Sequence, residues 1–317
     1  MKAAVVTAHG EAPEYAEHPD PLPGNDRVLV RMTAAPVVPL DLLCASGTSY
    51  FGPPALPYVP GVQGVGRLDD GTRVWVNSSA GMAPGDGTLA EQYVVSQADV
   101  VPVEVALVDT AVAALGLSGV AAWGAVTRAA LQDGERMLVL GAGGAVGQVA
   151  LGVARARGAA RVVAVCRPGA SADRAAAAGA DEVVTLPEGE DDVALAEAMQ
   201  AALGGPADVV VDPVFGWVAG AACRALAPRG RLVNLGGSAG DGATLSSAVL
   251  RGKSLTVLGY TNNSLTPDQR AEALTGVLGL AAAGQVRLAH EVRPLAEVAD
   301  AWRAVATGVA VRQVLST

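Results

Sequence analysis

The chain has few of the residues that cross-link small domains or bind metals: three cysteines and three histidines among 317 residues. The cysteines are odd in number and far apart, which excludes a disulfide framework and favours a reducing compartment. The histidines are scattered and have no metal-ligand spacing. We therefore expect no metal site.

Charged residues are also scarce, at 17% of the chain, and 31 acidic residues outnumber 22 basic ones, for a formal net charge of −9. Proteins that bind nucleic acids need a basic face, so we expect no nucleic-acid partner. Aromatic residues make up only 3%, whereas hydrophobic residues make up 51%. Such a composition can bury a large core of small side chains, which excludes a disordered protein.

Long hydrophobic runs of the membrane-spanning type are missing. The two most apolar stretches, residues 110–126 and 137–154, contain several glycines and lack basic clusters or an aromatic belt. The charged residue in His9-Gly10-Glu11 interrupts the first apolar run too early for a signal peptide. We expect a soluble, cytoplasmic protein that does not contact membranes.

The chain contains two regions with different sequence patterns. Up to residue 117, short strand-like runs alternate with proline-rich and Gly-Asp turns, and only residues 38–46 suggest a helix, which predicts an irregular antiparallel barrel. From residue 118, apolar strands alternate with helices, beginning with a strand at 136–140 and a helix at 145–157. This alternation predicts an α/β doubly wound parallel sheet of the Rossmann type.

A glycine-rich turn follows the first strand of that sheet and reads Gly141-Ala142-Gly143-Gly144-Ala145-Val146-Gly147. The glycines at 141, 144 and 147 provide a tight turn, close approach to a pyrophosphate, and close packing of helix on strand. We expect Ala145, Val146 and these glycines to bind the phosphates at the helix N-terminus. A turn without a ligand is the alternative in a chain with 39 glycines, but the strand–helix–strand context favours dinucleotide binding.

The end of the second strand predicts which dinucleotide binds. An NAD site has an acidic residue there for the ribose 2′-hydroxyl, but residues 159–169 contain none, and the strand ends in Cys166-Arg167. Cys166, Arg167 and Arg174 are predicted to bind the coenzyme, the two arginines at a 2′-phosphate, which favours NADPH, although both arginines could be ordinary surface charges. At the same sheet edge, Gly236 and Gly237 are predicted to contact the nicotinamide end.

Several further segments flank the glycine turn in a characteristic order. They are Leu56-Pro57-Tyr58-Val59-Pro60-Gly61, Gly87-Thr88-Leu89-Ala90-Glu91-Gln92-Tyr93 and Ala227-Pro228-Arg229-Gly230-Arg231-Leu232-Val233. In this order and spacing, the chain resembles the medium-chain dehydrogenase/reductase superfamily, specifically its zinc-free quinone oxidoreductase (zeta-crystallin-like) branch. The resemblance implies a GroES-like catalytic domain, residues 1–117 plus 261–317, and an inserted Rossmann NADP-binding domain, residues 118–260. It also implies a homodimer that pairs through the edge strand at 254–259.

The resemblance also allows the zinc ligands to be checked one by one. Zinc-dependent relatives have a Cys three residues before an Asp, and a His-Glu pair after a Gly. The matching positions in this chain are Val38, before Asp41, and Val62-Gln63, after Gly61. Short-chain reductases need Tyr-x-x-x-Lys, which this sequence lacks. The family therefore implies metal-free hydride transfer from NADPH to a small-molecule quinone or enone.

Two side chains are candidates for the chemistry. Tyr50 is a candidate proton donor, because quinone oxidoreductases often carry a Tyr on this loop, although solvent could supply the proton instead. Gln63 could donate a hydrogen bond to a substrate carbonyl or be structural. Three functions stay open: an NADPH-dependent quinone or enone reductase, a specialised enoyl or biosynthetic reductase on the same scaffold, and a non-catalytic NADPH-binding protein.

Overall fold

The computed structural model describes residues 1–308 and 311–317. The chain divides into two units, one formed by Met1–Leu117 with Ala289–Thr317 and the other by Ser118–Leu288. The first is called the mixed-sheet unit below and the second the parallel-sheet unit.

Strands and helices follow one another along the whole chain. The first elements are β1 (Lys2–Val5), β2 (Glu14–Glu17), β3 (Arg27–Val37), α1 (Pro39–Ala45), β4 (Gln63–Arg67), β5 (Arg73–Asn77), β6 (Gln92–Ser96), β7 (Val100–Pro102) and α2 (Asp109–Arg128). Next come β8 (Arg136–Leu140), α3 (Ala145–Ala156), β9 (Arg161–Cys166), α4 (Ala170–Ala177), β10 (Glu182–Thr185), α5 (Asp192–Leu203), β11 (Ala207–Asp212), α6 (Trp217–Ala225), β12 (Leu226–Asn234), α7 (Ser247–Lys253) and β13 (Thr256–Gly259). The last are α8 (Pro267–Ala282), β14 (His290–Pro294), α9 (Val298–Ala306) and β15 (Arg312–Ser316).

The mixed-sheet unit is organised around β3. This strand pairs antiparallel with β15, β4 and β6, within a sheet of order β14-β15-β3-β4-β5-β7. Only β14 and β15 run parallel, among the strand pairs of the described residues in this sheet. Buried side chains such as Leu89, Tyr93 and Leu315 fill its core. A separate mixed sheet of this kind agrees with the fold class predicted from the sequence.

The parallel-sheet unit contains six strands in the order β10-β9-β8-β11-β12-β13, and every pairing is parallel. Numbered within the unit, this is the order 3-2-1-4-5-6 of a Rossmann sheet. Met137, Leu138, Val139 and Leu140 are all buried, so consecutive side chains on opposite faces are both covered. The predicted doubly wound parallel sheet is confirmed.

The helices of this unit begin and end at residues that cap their free backbone groups. The Asp191 carboxylate accepts hydrogen bonds from the N–H groups of Val193 and Ala194, at 3.1 and 2.9 Å, and starts α5. Gly204 ends α5 in the left-handed conformation, with φ of 68°. Thr266 and Gln269 form a capping box at the start of α8.

The helix α2 extends nine residues into the segment for which the sequence predicts only barrel strands. Its composition of alanine, valine and glycine gives no polar face, so no amphipathic helical period is visible in the sequence. It is broken at Gly116, where φ is 4° and ψ is −112°. Among the described residues it is the one helix long and apolar enough to cross a membrane, and 67% of its most apolar window is buried inside the fold.

The chain leaves the parallel-sheet unit later than the residue 261 boundary predicted from the sequence. The helix α8 belongs to this unit because Val277 packs against Gly119 and Trp123 packs against Gly276. The sequence pattern also does not predict the helix α7. The sequence also predicts a last strand over 310–315; residue 310 lies outside the described residues, and β15 begins at Arg312.

Candidate coenzyme site

The glycine turn lies where the direction of strand connection changes in the parallel sheet. It follows β8, which pairs with β9 on one side and β11 on the other. In open parallel sheets, ligands bind at the carboxyl edge at this switch point. The loop after β11 lies directly against the turn, because a Cβ atom on Gly141 would approach Val214 Cγ1 to 2.5 Å.

Two positions of the turn require glycine for local reasons. Gly141 has φ of 59°, which favours a residue without a side chain. A Cβ atom on Gly147 would lie 2.5 Å from Ala142 Cα and 2.7 Å from the Gly141 carbonyl oxygen. The predicted roles of tight turn and close helix packing therefore match the geometry at these two positions.

The first turn of α3 is a suitable anion site. Gly144 is the N-cap residue and offers no side chain to the free N–H groups of Ala145, Val146 and Gly147. The first turn contains no acidic residue, so nothing in it repels a phosphate. A helix N-terminus of this kind binds pyrophosphate groups through its N–H groups and its dipole.

Gly143 holds the turn in place, a role that was not predicted from the sequence. Its carbonyl oxygen accepts hydrogen bonds from Gln148 Nε2 at 2.9 Å and from Arg174 Nε at 3.0 Å. A side chain at Gly143 would overlap Ser171 at the start of α4. The only sequence signal for this role was the adjacent pair Gly143-Gly144, which the spacing of 141, 144 and 147 left without a function.

Cys166 and Arg174 support the turn from the neighbouring strand and helix. Burial raises the pKa of the Cys166 thiol, while the Ser171 hydroxyl and the Gly143 N–H interact with it and act in the opposite direction. Arg174 lies partly buried against the turn through its bond to Gly143. These contacts give both residues a structural task; their predicted contact with the coenzyme stays a prediction.

Arg167 lies in a different environment. It is exposed and follows the last residue of β9. It lines a cavity of about 500 Å³ together with residues of the loops after β9 and β10 and the first residue of α6, namely Pro168, Leu186, Pro187, Glu188, Gly189, Glu190 and Trp217. The sequence-based prediction considered acidic residues only after β9, whereas the structure brings two of them into this cavity from the loop after β10.

The strands β11 and β12 end together near Gly236 and Gly237. The Asn234 side chain donates hydrogen bonds to the carbonyl oxygens of Gly236, at 2.8 Å, and Asp212, at 3.2 Å. The Asp212 carboxylate is buried, which raises its pKa, and it accepts hydrogen bonds from the next loop. Gly236 is thus fixed at the carboxyl edge, and Gly237 is exposed there.

The two predicted catalytic residues belong to the mixed-sheet unit. Tyr50 follows α1 and is 81% exposed; the centroid of its ring lies 4.1 Å from that of Phe51, with the two rings tilted by 37°. Gln63 is completely buried at the start of β4, and its Oε1 accepts hydrogen bonds from Trp75 Nε1 at 2.9 Å and Leu117 N at 2.6 Å. Its Nε2 has no hydrogen-bond partner within the described part of the chain.

The positions that match zinc ligands of relatives hold other groups in this chain. Val38 and Val62 are buried, and their N–H groups donate to the Asp41 carboxylate at 2.8 and 3.0 Å. Burial raises the pKa of Asp41 to about 6, while these two N–H groups and the Arg312 cation act in the opposite direction. Residues 1–308 and 311–317 contain no group of three or more His, Cys, Asp or Glu side chains that could hold a metal ion.

A parallel sheet of this order, with an uncapped glycine turn after its first strand, defines the class of dinucleotide-binding Rossmann folds. Residues 145–278 match a family described as zinc-binding dehydrogenase. Quinone oxidoreductase-like protein 2 of Mus musculus is 31% identical over 226 residues, which cover 69% of this chain and 63% of that protein. The mitochondrial enoyl-[acyl-carrier-protein] reductase of Rattus norvegicus is 28% identical over 311 residues, which cover 88% of this chain and 80% of that one.

Among solved structures, the quinone oxidoreductase of Thermus thermophilus, which was also solved in complex with NADPH, is 30% identical. The similarity covers 100% of both chains with a TM-score of 0.81. The chain belongs to the medium-chain dehydrogenase/reductase superfamily, in its quinone oxidoreductase-like branch. This confirms the resemblance noted from the sequence, although the chain spans only 63% of the length of the mouse relative.

Proposed function

We propose that this protein is an NADPH-dependent, metal-free oxidoreductase that transfers hydride to a quinone or an α,β-unsaturated carbonyl compound. The observation that carries the proposal is the uncapped first turn of α3, which follows the glycine turn at the switch point of the sheet. The chemistry of the related quinone oxidoreductase, whose structure was solved with NADPH, supports the choice of coenzyme and substrate class.

The residues present fit the coenzyme. The turn leaves backbone N–H groups of Ala145, Val146 and Gly147 for a pyrophosphate, and Arg167 supplies a cation for a 2′-phosphate. The glycines after β12, Gly236 and Gly237, would contact the nicotinamide end. When bound, NADPH supplies the hydride, so the protein needs no metal or nucleophile of its own.

Two residues of the mixed-sheet unit have proposed roles with the substrate. The Tyr50 hydroxyl would donate a proton to the oxygen of the reduced substrate. The exposure of Tyr50 leaves its hydroxyl accessible for this role. The Gln63 Nε2 would donate a hydrogen bond to a substrate carbonyl. The alternative is a purely structural role, because Gln63 is buried and its Oε1 accepts a hydrogen bond from Trp75.

A second candidate function is the reduction of an enoyl thioester. The observation that favours it is the similarity to the mitochondrial enoyl-[acyl-carrier-protein] reductase, which extends over 88% of this chain. The two candidates share the coenzyme and the hydride transfer and differ in the acceptor. A non-catalytic NADPH-binding protein would share only the coenzyme.

The test measures NADPH oxidation at 340 nm with three acceptors: a 1,4-naphthoquinone, an alkyl enone and an enoyl thioester. NADH is run in parallel, and a chelator is added to a second series. Chelator-resistant turnover of the quinone or enone supports the proposal, and turnover of the thioester alone supports the second candidate. Binding of NADPH without turnover of any acceptor contradicts both enzymatic functions.

A substitution at Arg167 tests the coenzyme preference separately. The Arg167→Gln substitution should raise the KM for NADPH about tenfold and leave the KM for NADH unchanged, because it removes one charge-assisted contact to the 2′-phosphate. The matched control is Arg251→Gln, which neutralises another exposed arginine of the same unit, in α7. An equal change for both coenzymes would contradict the role of Arg167.

We further propose a cytoplasmic homodimer that pairs through β13. This strand is the edge of the parallel sheet, has β12 as its neighbour, and leaves the side chain of Val257 38% exposed. The Val257→Lys variant should sediment as a monomer, whereas Val193→Lys, at an exposed position of α5, should sediment like the unaltered protein. A monomeric unaltered protein at micromolar concentration contradicts the proposal.

A further inference from the structure

The cavity of about 500 Å³ beside Arg167 carries more negative than positive charge. Arg167 is the one cation among its lining residues, all of which lie in the described part of the chain. Glu188 and Glu190 contribute two carboxylates, and both side chains are exposed at the cavity. A ligand placed there meets one cation and two carboxylates rather than a simple cationic pocket.

The backbone holds these charges near one another. The strands β9 and β10 pair in parallel up to Cys166 and Thr185. One residue further on, the Leu186 N–H donates a hydrogen bond to the Cys166 carbonyl at 2.9 Å. Arg167 directly follows Cys166, the acceptor of this bond. Glu188 lies two residues after Leu186, the donor, which is at most about 7 Å along the chain.

We infer that Glu188 and Glu190 determine how strongly the protein discriminates between NADPH and NADH, by opposing Arg167. This inference rests on the proposed binding of a nicotinamide coenzyme. Arg167 attracts the 2′-phosphate of NADPH, while the two carboxylates repel it, because a phosphate monoester carries close to two negative charges at neutral pH. NADH carries no such group, and the carboxylates can accept a hydrogen bond from its 2′-hydroxyl.

The size of the effect follows from the charges. If a carboxylate lies about 8 Å from a doubly charged phosphate, with a Debye length of about 8 Å, it weakens binding roughly twofold at 0.15 M salt. Two carboxylates together weaken it about fourfold. At about 0.01 M salt the screening nearly disappears, and the combined effect rises to roughly tenfold.

The experiment uses the full chain and two adenosine fragments that lack the nicotinamide. Isothermal titration calorimetry measures the affinity of adenosine 2′,5′-bisphosphate and of 5′-AMP for the unaltered protein and for the Glu188→Gln/Glu190→Gln variant. The variant should bind the 2′,5′-bisphosphate about fourfold more tightly at 0.15 M salt and about tenfold more tightly at 0.01 M. Its affinity for 5′-AMP should stay the same or fall.

A matched control separates a local effect from a change in overall charge. Glu197→Gln removes an exposed carboxylate of α5, which does not line the cavity, and should change neither affinity by more than about 1.5-fold. Both glutamates of the cavity are exposed, so the variants should melt at the temperature of the unaltered protein. A melting scan checks this directly.

Three outcomes overturn the inference and can be told apart. If both fragments bind the unaltered protein and the ratio of their affinities is the same in the double variant, the carboxylates do not discriminate, while the coenzyme site stands. If neither fragment binds the unaltered protein, the proposed coenzyme binding fails together with the inference. A gain for the 2′,5′-bisphosphate that does not weaken with added salt also contradicts it, because the repulsion must be screened.

Discussion

The Gln63→Leu substitution distinguishes a structural role of this side chain from a role in substrate binding. Gln63 is completely buried, and its Oε1 accepts hydrogen bonds from Trp75 Nε1 and from the N–H of Leu117. Trp75 is completely buried as well. Leu117 directly follows Gly116, where α2 departs from helical geometry. The Gln63 carboxamide oxygen therefore accepts hydrogen bonds both from the Trp75 indole in β5 and from the backbone at this break.

The expected loss of stability can be worked out from these bonds. Leucine has a similar volume but no acceptor, so the buried Trp75 N–H and the partly buried Leu117 N–H both lose this bond, and each loss costs about 1–3 kcal/mol. The substitution also removes the buried Nε2, which has no partner in the described residues. Its removal stabilises the fold by about 1–3 kcal/mol and so offsets part of the loss. The net loss should be about 2 kcal/mol, or a fall in Tm of roughly 4–8 °C.

The assay is a double-mutant cycle read by thermal and guanidinium unfolding. Trp75→Phe removes the indole donor while keeping an aromatic ring, so the cycle of Gln63→Leu with Trp75→Phe isolates one of the two bonds. We expect a coupling free energy of about 1–2 kcal/mol. Far-ultraviolet circular dichroism follows the transition, because removing Trp75 changes the fluorescence signal.

The opposite result has a clear signature. If Gln63→Leu leaves Tm unchanged and lowers only kcat/KM for the acceptor, then Gln63 acts on the substrate, and the structural explanation is refuted. The Gln63→Glu variant provides a second check, since a protonated carboxyl keeps the acceptor. Burial should raise the pKa of the new carboxyl, so the variant should be stable near pH 4 and lose stability as the pH rises.

Three further predictions concern Asp41, the glycine turn and Arg174. Burial raises the pKa of Asp41 from 3.8 to about 6, so its contribution to stability is complete below about pH 4 and is lost as the pH rises to about 6. This loss amounts to up to about 3 kcal/mol in the free energy of unfolding. The Asp41→Asn variant should show a smaller change with pH, which urea unfolding between about pH 4 and about pH 6 measures. Gly147→Ala should lower Tm and abolish calorimetric binding of 5′-AMP, because its Cβ atom overlaps Ala142 and costs about 1–3 kcal/mol, whereas Gly279→Ala, which meets open space in α8, should raise Tm slightly. Arg174→Gln should weaken 5′-AMP and adenosine 2′,5′-bisphosphate equally if Arg174 only supports the turn through Gly143, and the bisphosphate alone if it binds the 2′-phosphate.

The parallel sheet and the glycine turn were predictable because both leave strong local signals. Strands covered on two faces are continuous apolar runs, as in residues 137–140, and they cannot be confused with half-exposed strands. Gly147 is dictated by contacts with Gly141 and Ala142, a few residues away in sequence, and Gly141 by its own φ of 59°. Local patterns of this kind can be read without knowledge of the rest of the fold.

The first half of α2 and the position of α8 depended on distant contacts instead. The helix α2 is largely buried and has no polar stripe, so it looks like any apolar stretch until its surroundings are known. The helix α8 has an ordinary capping box, which predicts where it begins. Which unit it joins is decided by Trp123 and Gly276, which are more than a hundred residues apart in sequence.

The coenzyme preference shows the same limit in its most consequential form. The rule that an acid follows the second strand assumes that one loop alone surrounds the ribose, and by that rule residues 159–169 predict a purely cationic site. In the folded chain, pairing of β9 with β10 brings a second loop to the same cavity, with Glu188 and Glu190 on it. The charge of this cavity is therefore a property of two adjacent strand ends, and a motif confined to the first of them misses two of its three charged side chains.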